Sequence, residues 1–386
     1  MSDAVALRPP RSLPLEAVLI AIPVLLAVAG LAIRYAGYAA TVPDATFASF
    51  AGGMCRWDCL WYVKLADQGY DGFPTPTLIN AGNWAFFPLY PMLVALVRSL
   101  TGVPTIVAAT GLSIVLCIGA ARIAWPLLGR DLRAYALFSA FLVAGPFSIW
   151  FTTFYTEVLF LFLTVCVFAA LRRRNIVLAG VFAALLSATR IVGVFIVFAL
   201  VIEIWRAHRE AGGTWRDFVP GVLRRPDWLL AIFLAPLGMF AYMLFLHLKI
   251  GDALAFSHVQ RAWARPTGLP PVFIFNALFD QARGALFPTF SQQLAIGTLV
   301  GYALAIVLIV RRQYAMGVYA LLCLTAPLFA GMASMLRFTA GLAPLPLLLT
   351  RLLATRRWLF AISLLVLLAS GYFTTKGWLT GYLSLV

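Results

Sequence analysis

Long uninterrupted apolar segments dominate the pattern of this chain. The clearest four are residues 15–33, 104–125, 228–248 and 292–310. At a rise of about 1.5 Å per residue, a helix made from any of them can cross a hydrocarbon core of roughly 30 Å. In lipid, only helices and closed barrels satisfy their backbone polar groups, and these segments lack the alternating pattern of barrel strands. The pattern predicts an all-α polytopic integral membrane protein, with residues 1–386 forming a single transmembrane domain.

Arginine clusters between the apolar segments predict how the chain crosses the membrane. Short loops rich in Arg and Lys mark the cytoplasmic side. The basic stretches that this rule assigns to the cytoplasm are 172–174, 206–225, 311–312 and 351–357. We therefore predict about 11 transmembrane helices, with the C-terminus outside: 15–33, 104–126, 134–151, 156–171, two short helices within 175–205, 227–248, 292–310, 315–334, 339–354 and 358–373. The first segment is predicted to be an uncleaved signal anchor.

This topology places two long segments outside the cytoplasm, a first extracytoplasmic loop at 34–103 and a second at 249–291. The first contains a further apolar stretch, WAFFPLYPMLVALV at 84–97. Because both of its flanks are predicted to lie outside and it is too short to cross twice, we predict an interfacial or re-entrant helix. The alternative is an ordinary transmembrane helix with one basic loop on the unexpected side.

The segment 175–205 is a second irregularity. A single helix of this length would move the basic loop at 206–225 to the outside. Two short helices that meet near residues 189–193 keep that loop inside. The sequence therefore predicts a hairpin whose tip carries Arg190.

Charge and composition narrow the class further. The chain is 63% hydrophobic and 11% charged, with a formal net charge of +15 and a mean hydropathy of +0.94. Because the basic residues punctuate the apolar segments, they are better explained by membrane topology than by a nucleic-acid site. Lys occurs only at positions 64, 249 and 376. The preference for Arg suggests a bacterial protein of the inner membrane, with its outer loops facing the periplasm or the exterior.

Two cysteines, Cys55 and Cys59, share the first outer loop. In a continuous helix, side chains at this spacing have Cβ atoms about 5–6 Å apart, whereas a disulfide needs about 3.8 Å. A bridge is possible only if the helix is broken here. Cysteine usage alone therefore leaves the compartment open.

Acidic residues are concentrated in one part of the first loop. Three of the fourteen Asp and Glu residues lie within RWDCLWYVKLADQGYDG at 56–72. If 55–65 is helical, Asp58, Trp61 and Tyr62 share a face. A carboxylate framed by aromatic rings is a candidate general base, because desolvation makes it a stronger base, and aromatic planes suit sugar rings.

Other charged groups have simpler alternatives. Asp67 and Asp71 lie near Gly69 and Gly72 and are better explained as turn caps. Arg190 and Arg337 are placed to meet an anion at the outer membrane surface, although either can be an arginine that extends toward the interface. The residues predicted to lie at or near the outer side are Asp58, Lys64, Asp67, Asp71, Glu157, Arg190, His258, Gln260, Arg261, Arg265 and Arg337.

Several motifs together resemble a known family. RWDCLWYVKLADQGY followed by AFFPLYP resembles the first loop of PIG-V-type mannosyltransferases, which belong to the GT-C superfamily of membrane glycosyltransferases. Three later stretches are similar to that family in the same order: GPFSIWFTTFYTEVLF at 145–160, SATRIVG at 187–193 and LRF at 336–338. The chain departs from the family pattern at Thr156, at Ile191-Val192 and at Phe338, where the family has Ser, Ser-Asn and Tyr.

The resemblance implies a transferase that moves a mannosyl or other hexosyl group from a polyprenyl-phosphate donor to a glycan or lipid acceptor outside the cytoplasm. Asp58 would deprotonate the acceptor hydroxyl, with inversion at the anomeric carbon. Arg190 and Arg337 would stabilise the departing phosphate, and Glu157 would order the pocket or bind the acceptor. The full set of expected substrate-binding residues is Arg56, Trp57, Trp61, Lys64, Glu157, Arg190, Gln260, Arg261, Trp263 and Arg337. No cofactor, metal ligand or nucleic-acid partner is predicted.

Two other classes compete with this interpretation. A multi-pass transporter or lipid flippase predicts repeated halves and ionisable groups near the membrane midplane. The sequence has no internal repeat, and its acids are predicted to gather outside. A membrane scaffold would use the outer loops for docking, but leaves the surroundings of Asp58 without a role.

Overall fold

The computed structural model describes residues 14–72, 82–263, 265–280 and 289–381, and every regular element in these ranges is helical. The α-helices in chain order are α1 (Leu15–Ala39), α2 (Phe47–Met54), α3 (Asp58–Gln68), α4 (Leu89–Thr101), α5 (Thr105–Ala124), α6 (Leu132–Val143), α7 (Ser148–Thr152), α8 (Glu157–Arg172), α9 (Ile176–Ser187), α10 (Ile196–Glu210), α11 (Phe218–Leu223), α12 (Pro226–Leu234), α13 (Leu237–Ile250), α14 (Ala255–His258), α15 (Pro270–Leu278), α16 (Phe290–Val310), α17 (Tyr314–Leu328), α18 (Met335–Gly341), α19 (Pro344–Leu353) and α20 (Arg357–Thr380). Short 3₁₀ helices lie at Asn83–Ala85, Ile191–Phe195 and Val259–Trp263.

Several of these helices are long and apolar enough to cross a membrane, which makes the chain a multi-pass membrane protein. Within the described ranges, five continuous segments qualify: Leu15–Ala39, Thr105–Ala124, Ile191–Glu210, Phe290–Val310 and Arg357–Thr380. The number rises to seven if two bent pairs, α12 with α13 and α18 with α19, each form one span. The predicted total of eleven is not confirmed, because the segments near 134–151, 175–187 and 315–334 form shorter helices or are interrupted.

Helix α8 runs through the centre of the bundle. Apart from Phe162 and Arg172, all of its residues are buried. A helix that is apolar all round is stable only when other helices surround it, and α8 packs against α5, α9 and α18. Glu157, the first residue of α8, is therefore carried into the interior.

The first loop is broken where the sequence analysis considered a continuous helix over 55–65. Helix α2 ends at Met54 and α3 begins at Asp58, with Trp57 in the left-handed region at φ 50°. This turn brings the Cα atoms of Cys55 and Cys59 to 5.3 Å, and the two form a disulfide. Disulfides persist in oxidising compartments, in keeping with the prediction that this loop lies outside the cytoplasm.

The two predicted outer loops pack against each other. The ring centroids of Trp61 and Trp263 are 6.1 Å apart, and those of Phe86 and Trp263 are 6.2 Å apart. Tyr242, in the middle of α13, donates a hydrogen bond of 2.7 Å to the carbonyl of Trp84. The segments around 56–86 and 255–263 therefore share one face of the molecule. Within the first loop, α4 has thirteen residues and rises about 20 Å, less than the roughly 30 Å hydrocarbon core; its predicted interfacial position stays a prediction.

The break predicted near residues 189–193 is present. Helix α9 ends at Ser187, and Arg190 lies in extended conformation between α9 and the next 3₁₀ helix. Neighbouring helices fix this turn, since the backbone N–H of Leu89 donates to the carbonyl of Ala188 (3.3 Å) and that of Met239 donates to the hydroxyl of Ser187 (3.3 Å). A second break lies beside Arg337, where α18 and α19 meet at 72°. Arg190 thus lies between two helices, whereas Arg337 lies within α18, shortly before the bend.

Gly238 permits the close packing of α13 on the end of α9. A Cβ at this position would lie 2.7 Å from the backbone nitrogen of Ala188 and would also clash with the carbonyl of Ala184. We therefore expect Gly238→Ala to lower the free energy of unfolding by about 1–3 kcal/mol. Thermal unfolding of the purified protein in detergent measures this effect. The matched control is Gly52→Ala in α2, where a Cβ would meet no atom within 4 Å. Equal melting temperatures for the two variants would contradict the packing argument.

Candidate functional site

Four charged side chains from distant parts of the chain form one cluster. Arg337 Nη1 donates a hydrogen bond of 2.6 Å to Asp58 Oδ2, and Arg190 Nη1 donates one of 2.6 Å to Glu157 Oε1. Arg337 Nε lies 3.0 Å from the same Glu157 oxygen. We call Asp58, Glu157, Arg190 and Arg337 the charge cluster. Buried charges are stable only when paired, so the cluster fixes α3, α8, α18 and the turn after α9 relative to one another.

The members of the cluster differ in burial. The side chain of Glu157 is 1% exposed, those of Arg337 and Arg190 are 10% and 15% exposed, and that of Asp58 is 30% exposed. Two buried atoms, Glu157 Oε2 and Arg337 Nε, have no hydrogen-bond partner among the described residues. The 3.0 Å approach of Arg337 to Glu157 is thus an ion pair without an aligned hydrogen bond. Asp58 is the acid that remains accessible.

The backbone around Asp58 is anchored on both sides. The indole of Trp378 donates a hydrogen bond of 3.0 Å to the carbonyl of Met54, and the hydroxyl of Tyr155 donates one of 2.8 Å to the carbonyl of Arg56. Arg56 itself donates a hydrogen bond of 2.9 Å to the carbonyl of Leu379. Together with the disulfide, these contacts hold Trp57 at its positive φ, which a bulky residue rarely adopts. The carboxylate at the start of α3 is therefore rigidly placed.

A cavity of about 400 Å³ lies on one side of the charge cluster. Its charged lining comes from Asp58, Arg190, Arg265 and Arg337, and Gln260 is among its neutral polar residues. Much of the remaining wall is apolar. One part of it is formed by residues of the 3₁₀ helix after Arg190 and of α17: Ile191, Val192, Phe195, Cys323, Ala326 and Pro327. This smaller cavity joins several cationic groups to an apolar wall between helices.

A second cavity, of about 1200 Å³, lies on the other side. It is lined by aromatic and basic side chains of the first loop: Arg56, Trp57, Trp61 and Lys64. The residues that line both cavities are Asp58, Trp263, Arg265, Ala330 and Arg337. The Asp58–Arg337 pair therefore stands at the junction of two spaces, each able to hold a different molecule.

Tyr62 adds a neutral polar group to the smaller cavity. Its hydroxyl lies 3.2 Å from that of Thr156. Burial, together with the negative charges of Glu157 and Asp58, raises the pKa of the Tyr62 phenol well above its usual value. The phenol therefore stays protonated and can act as a hydrogen-bond donor.

The structure gathers most of the predicted site residues but not all of them. Those on one or both cavities are Asp58, Arg56, Trp57, Trp61, Lys64, Arg190, Gln260, Trp263 and Arg337. Glu157 lines neither cavity and instead lies beneath them, paired with two arginines. Arg261 is exposed and lines neither cavity. Arg265 lines both cavities instead. The sequence analysis grouped Arg265 with the outer polar residues but did not include it among the expected substrate-binding residues.

Asp67 and Asp71 tie segments together. Asp67 accepts hydrogen bonds from Arg98 (2.6 Å) and from the hydroxyl of Thr105, so that it joins α3 to α4 and α5. Asp71 pairs with Lys64 at 2.6 Å. These contacts exceed the turn-capping role predicted for the two acids. Within the described ranges, no three His, Cys, Asp or Glu side chains are grouped as metal binding would require.

The sequence matches no family model and no curated protein. Among solved structures, ArnT from Cupriavidus metallidurans, bound to undecaprenyl phosphate, is similar with a TM-score of 0.49 and 12% identity, over 90% of this chain and 60% of that one. The oligosaccharyltransferase AglB from Archaeoglobus fulgidus, in complex with an inhibitory peptide and a dolichol-phosphate, is similar with a TM-score of 0.46 and 14% identity, over 97% of this chain and 56% of that one. The chain thus spans less than two thirds of either protein, and the similarity concerns the arrangement of helices.

The charge cluster generates a stability prediction. Glu157→Gln leaves Arg190 and Arg337 close together without their shared negative charge. Because removing one partner of a buried ion pair typically costs about 3–5 kcal/mol, we expect a loss of that order in the free energy of unfolding. The control is Glu210→Gln, whose partner Arg174 is 84% exposed, so its expected loss is below about 1 kcal/mol. Denaturant or thermal unfolding in detergent distinguishes the two, and equal effects would contradict the structural importance of Glu157.

Proposed function

We propose that this protein is a membrane glycosyltransferase that moves a hexosyl group from a polyprenyl-phosphate donor to an acceptor hydroxyl on the extracytoplasmic face. The observation that carries the proposal is the position of the Asp58–Arg337 pair at the junction of two cavities. A group-transfer enzyme must bring two substrates to one point, with a base on one side and anion-stabilising groups on the other.

The smaller cavity suits the donor. Its arginines can contact a phosphate, and its apolar wall beside α17 suits the first isoprene units of a lipid tail. A soluble sugar nucleotide has no lipid tail that could pack against that apolar wall. The donor's sugar would then point toward the shared residues Asp58 and Trp263.

The larger cavity suits an acceptor that carries sugar rings. Trp57, Trp61 and Trp263 present aromatic surface to it, and aromatic side chains combine large apolar area with low conformational freedom. Lys64 lines the same space. We therefore favour a glycan acceptor or a lipid acceptor that bears sugar.

In the proposed reaction, a carboxylate oxygen of Asp58 accepts the proton of the acceptor hydroxyl. The acceptor oxygen then attacks the anomeric carbon of the donor while the bond from that carbon to the phosphate oxygen breaks, which inverts the anomeric configuration. The electron pair of the broken bond leaves with the polyprenyl phosphate, whose negative charge Arg190 and Arg337 stabilise. Glu157 is too buried to touch a substrate and would instead orient both arginines.

The first-loop motif adds a finer proposal. RWDCLWYVKLADQGY followed by AFFPLYP resembles PIG-V-type mannosyltransferases, and this favours mannose among the possible hexoses. It also favours a site that faces the periplasm or the exterior of a bacterial inner membrane. Mass spectrometry of cell-envelope glycans and lipid-linked sugars after deletion of the gene would identify the sugar and the acceptor.

Asp58→Asn tests the proposed base. The substitution keeps the size of the side chain but removes the proton acceptor, so we expect transfer to fall by about 10²–10⁴-fold. The measurement is transfer from a polyprenyl-phosphate hexose by the protein in reconstituted vesicles, with thermal unfolding to confirm the fold. The control is Asp252→Asn, an exposed acid of the second loop that pairs with His258 and lines neither cavity.

Two results would overturn this proposal. Full turnover by Asp58→Asn would remove Asp58 as the base. Ion-driven substrate uptake into sealed vesicles without sugar transfer would instead favour the transporter class.

A further inference from the structure

Three arginines line the smaller cavity, and their charges are not equally neutralised. Arg190 forms an ion pair with Glu157. Arg337 forms ion pairs with both Glu157 and Asp58. Arg265 has a different environment: among the described residues, no carboxylate lies within ion-pair distance of it. Its one hydrogen bond is a weak contact of 3.4 Å from Nη1 to the carbonyl of Ala333.

The backbone that carries Arg265 is fixed against the segment that precedes α18. The N–H of Gly268 donates a hydrogen bond of 3.2 Å to the carbonyl of Phe329. Pro266 packs over Gly331, whose φ of 96° and lack of a Cβ permit the approach; a Cβ there would lie 3.0 Å from the proline ring. Arg265 is thus carried by a pinned segment, and its side chain lines both cavities at their junction.

The surroundings of Arg265 favour an anion beside it. Partial burial, followed by the nearby positive charge of Arg337, lowers the pKa of the Arg265 guanidinium; Asp58 offsets part of this effect and Arg190 adds to it. Arginine nevertheless stays protonated in proteins. A negatively charged ligand would remove this unfavourable repulsion and provide the directed acceptors that the guanidinium lacks.

We propose that Arg265 is the primary ligand of the phosphate group of the lipid-linked donor. This inference rests on the proposed function for the identity of the ligand. A phosphate that bound only to Arg190 and Arg337 would have to compete with Glu157 and Asp58 for the same N–H groups. Arg265 gives up only its weak carbonyl contact, so it can bind the phosphate while the charge cluster remains intact.

The test is the affinity of the full-length protein in detergent for farnesyl phosphate, a short polyprenyl phosphate, with farnesol as the uncharged comparison. Because charge-assisted hydrogen bonds to phosphate are strong, we expect Arg265→Ala to weaken farnesyl phosphate binding by about 10-fold or more and to leave farnesol binding unchanged. Arg265→Lys should retain part of the affinity, since lysine keeps the charge but loses the two-pronged geometry. Arg265→Gln, which keeps most of the side chain's bulk, is the second variant if the alanine substitution impairs folding.

Arg261→Ala is the matched control, because Arg261 has the same charge, lies in the same loop and lines neither cavity. Its farnesyl phosphate affinity should equal that of the wild type. Wild-type affinity in Arg265→Ala and Arg265→Gln would overturn the inference. So would an equal loss in Arg261→Ala, because it would indicate a general effect of loop charge.

The result also separates this inference from the proposed function. Phosphate binding that depends on Arg265, in a protein that transfers no sugar, would support the binding site and overturn the glycosyltransferase assignment. If the protein transfers sugar but Arg265→Ala binds farnesyl phosphate with wild-type affinity, the glycosyltransferase assignment is supported and the role of Arg265 is overturned. If the wild type binds farnesyl phosphate no more tightly than farnesol, the inference is overturned.

Discussion

The carboxylate of Glu157 is the constraint on which the site depends. One of its oxygens lies within ion-pair distance of both Arg190 and Arg337, at the start of α8, where all residues but Phe162 and Arg172 are buried. Charges at such depth are costly unless they are paired. The position of Glu157 therefore dictates where the turn after α9 and the short helix α18 must lie. Through Arg337, it also dictates the position of Asp58.

This arrangement separates structural roles from chemical roles. Glu157 is inaccessible and holds the arginines, whereas Asp58 stands at the meeting point of two cavities and is partly exposed. The disulfide and the contacts to the end of α20 give the turn before Asp58 a fixed geometry. An accessible carboxylate on a rigid support, next to cations and between two differently lined spaces, is the arrangement that the proposed transfer would require.

The sequence predicted the helical membrane class and the break near Arg190, because hydrophobic periodicity and charge placement are local signals. The role of Asp58 as a general base stays a prediction. The sequence did not identify the pairing of Asp58 with Arg337, since the two are 279 positions apart and no local pattern links them. For a similar reason, the sequence did not show that Arg265, and not Arg261, lines the two cavities. Both lie in one loop with the same charge, and only the packing of Pro266 over Gly331 shows which of them lines the cavities. The helix count also depended on tertiary structure, because several apolar segments break or bend where the charge cluster forms.

The most direct test is an experimental structure of the protein with a polyprenyl phosphate bound in lipid nanodiscs. We expect the phosphate at the junction of the two cavities, within hydrogen-bond distance of Arg265, with the isoprene chain against the apolar wall between Phe195 and α17. A phosphate bound elsewhere, for example at the arginines between α10 and α12 that are predicted to be cytoplasmic, with the junction left empty, would contradict this prediction.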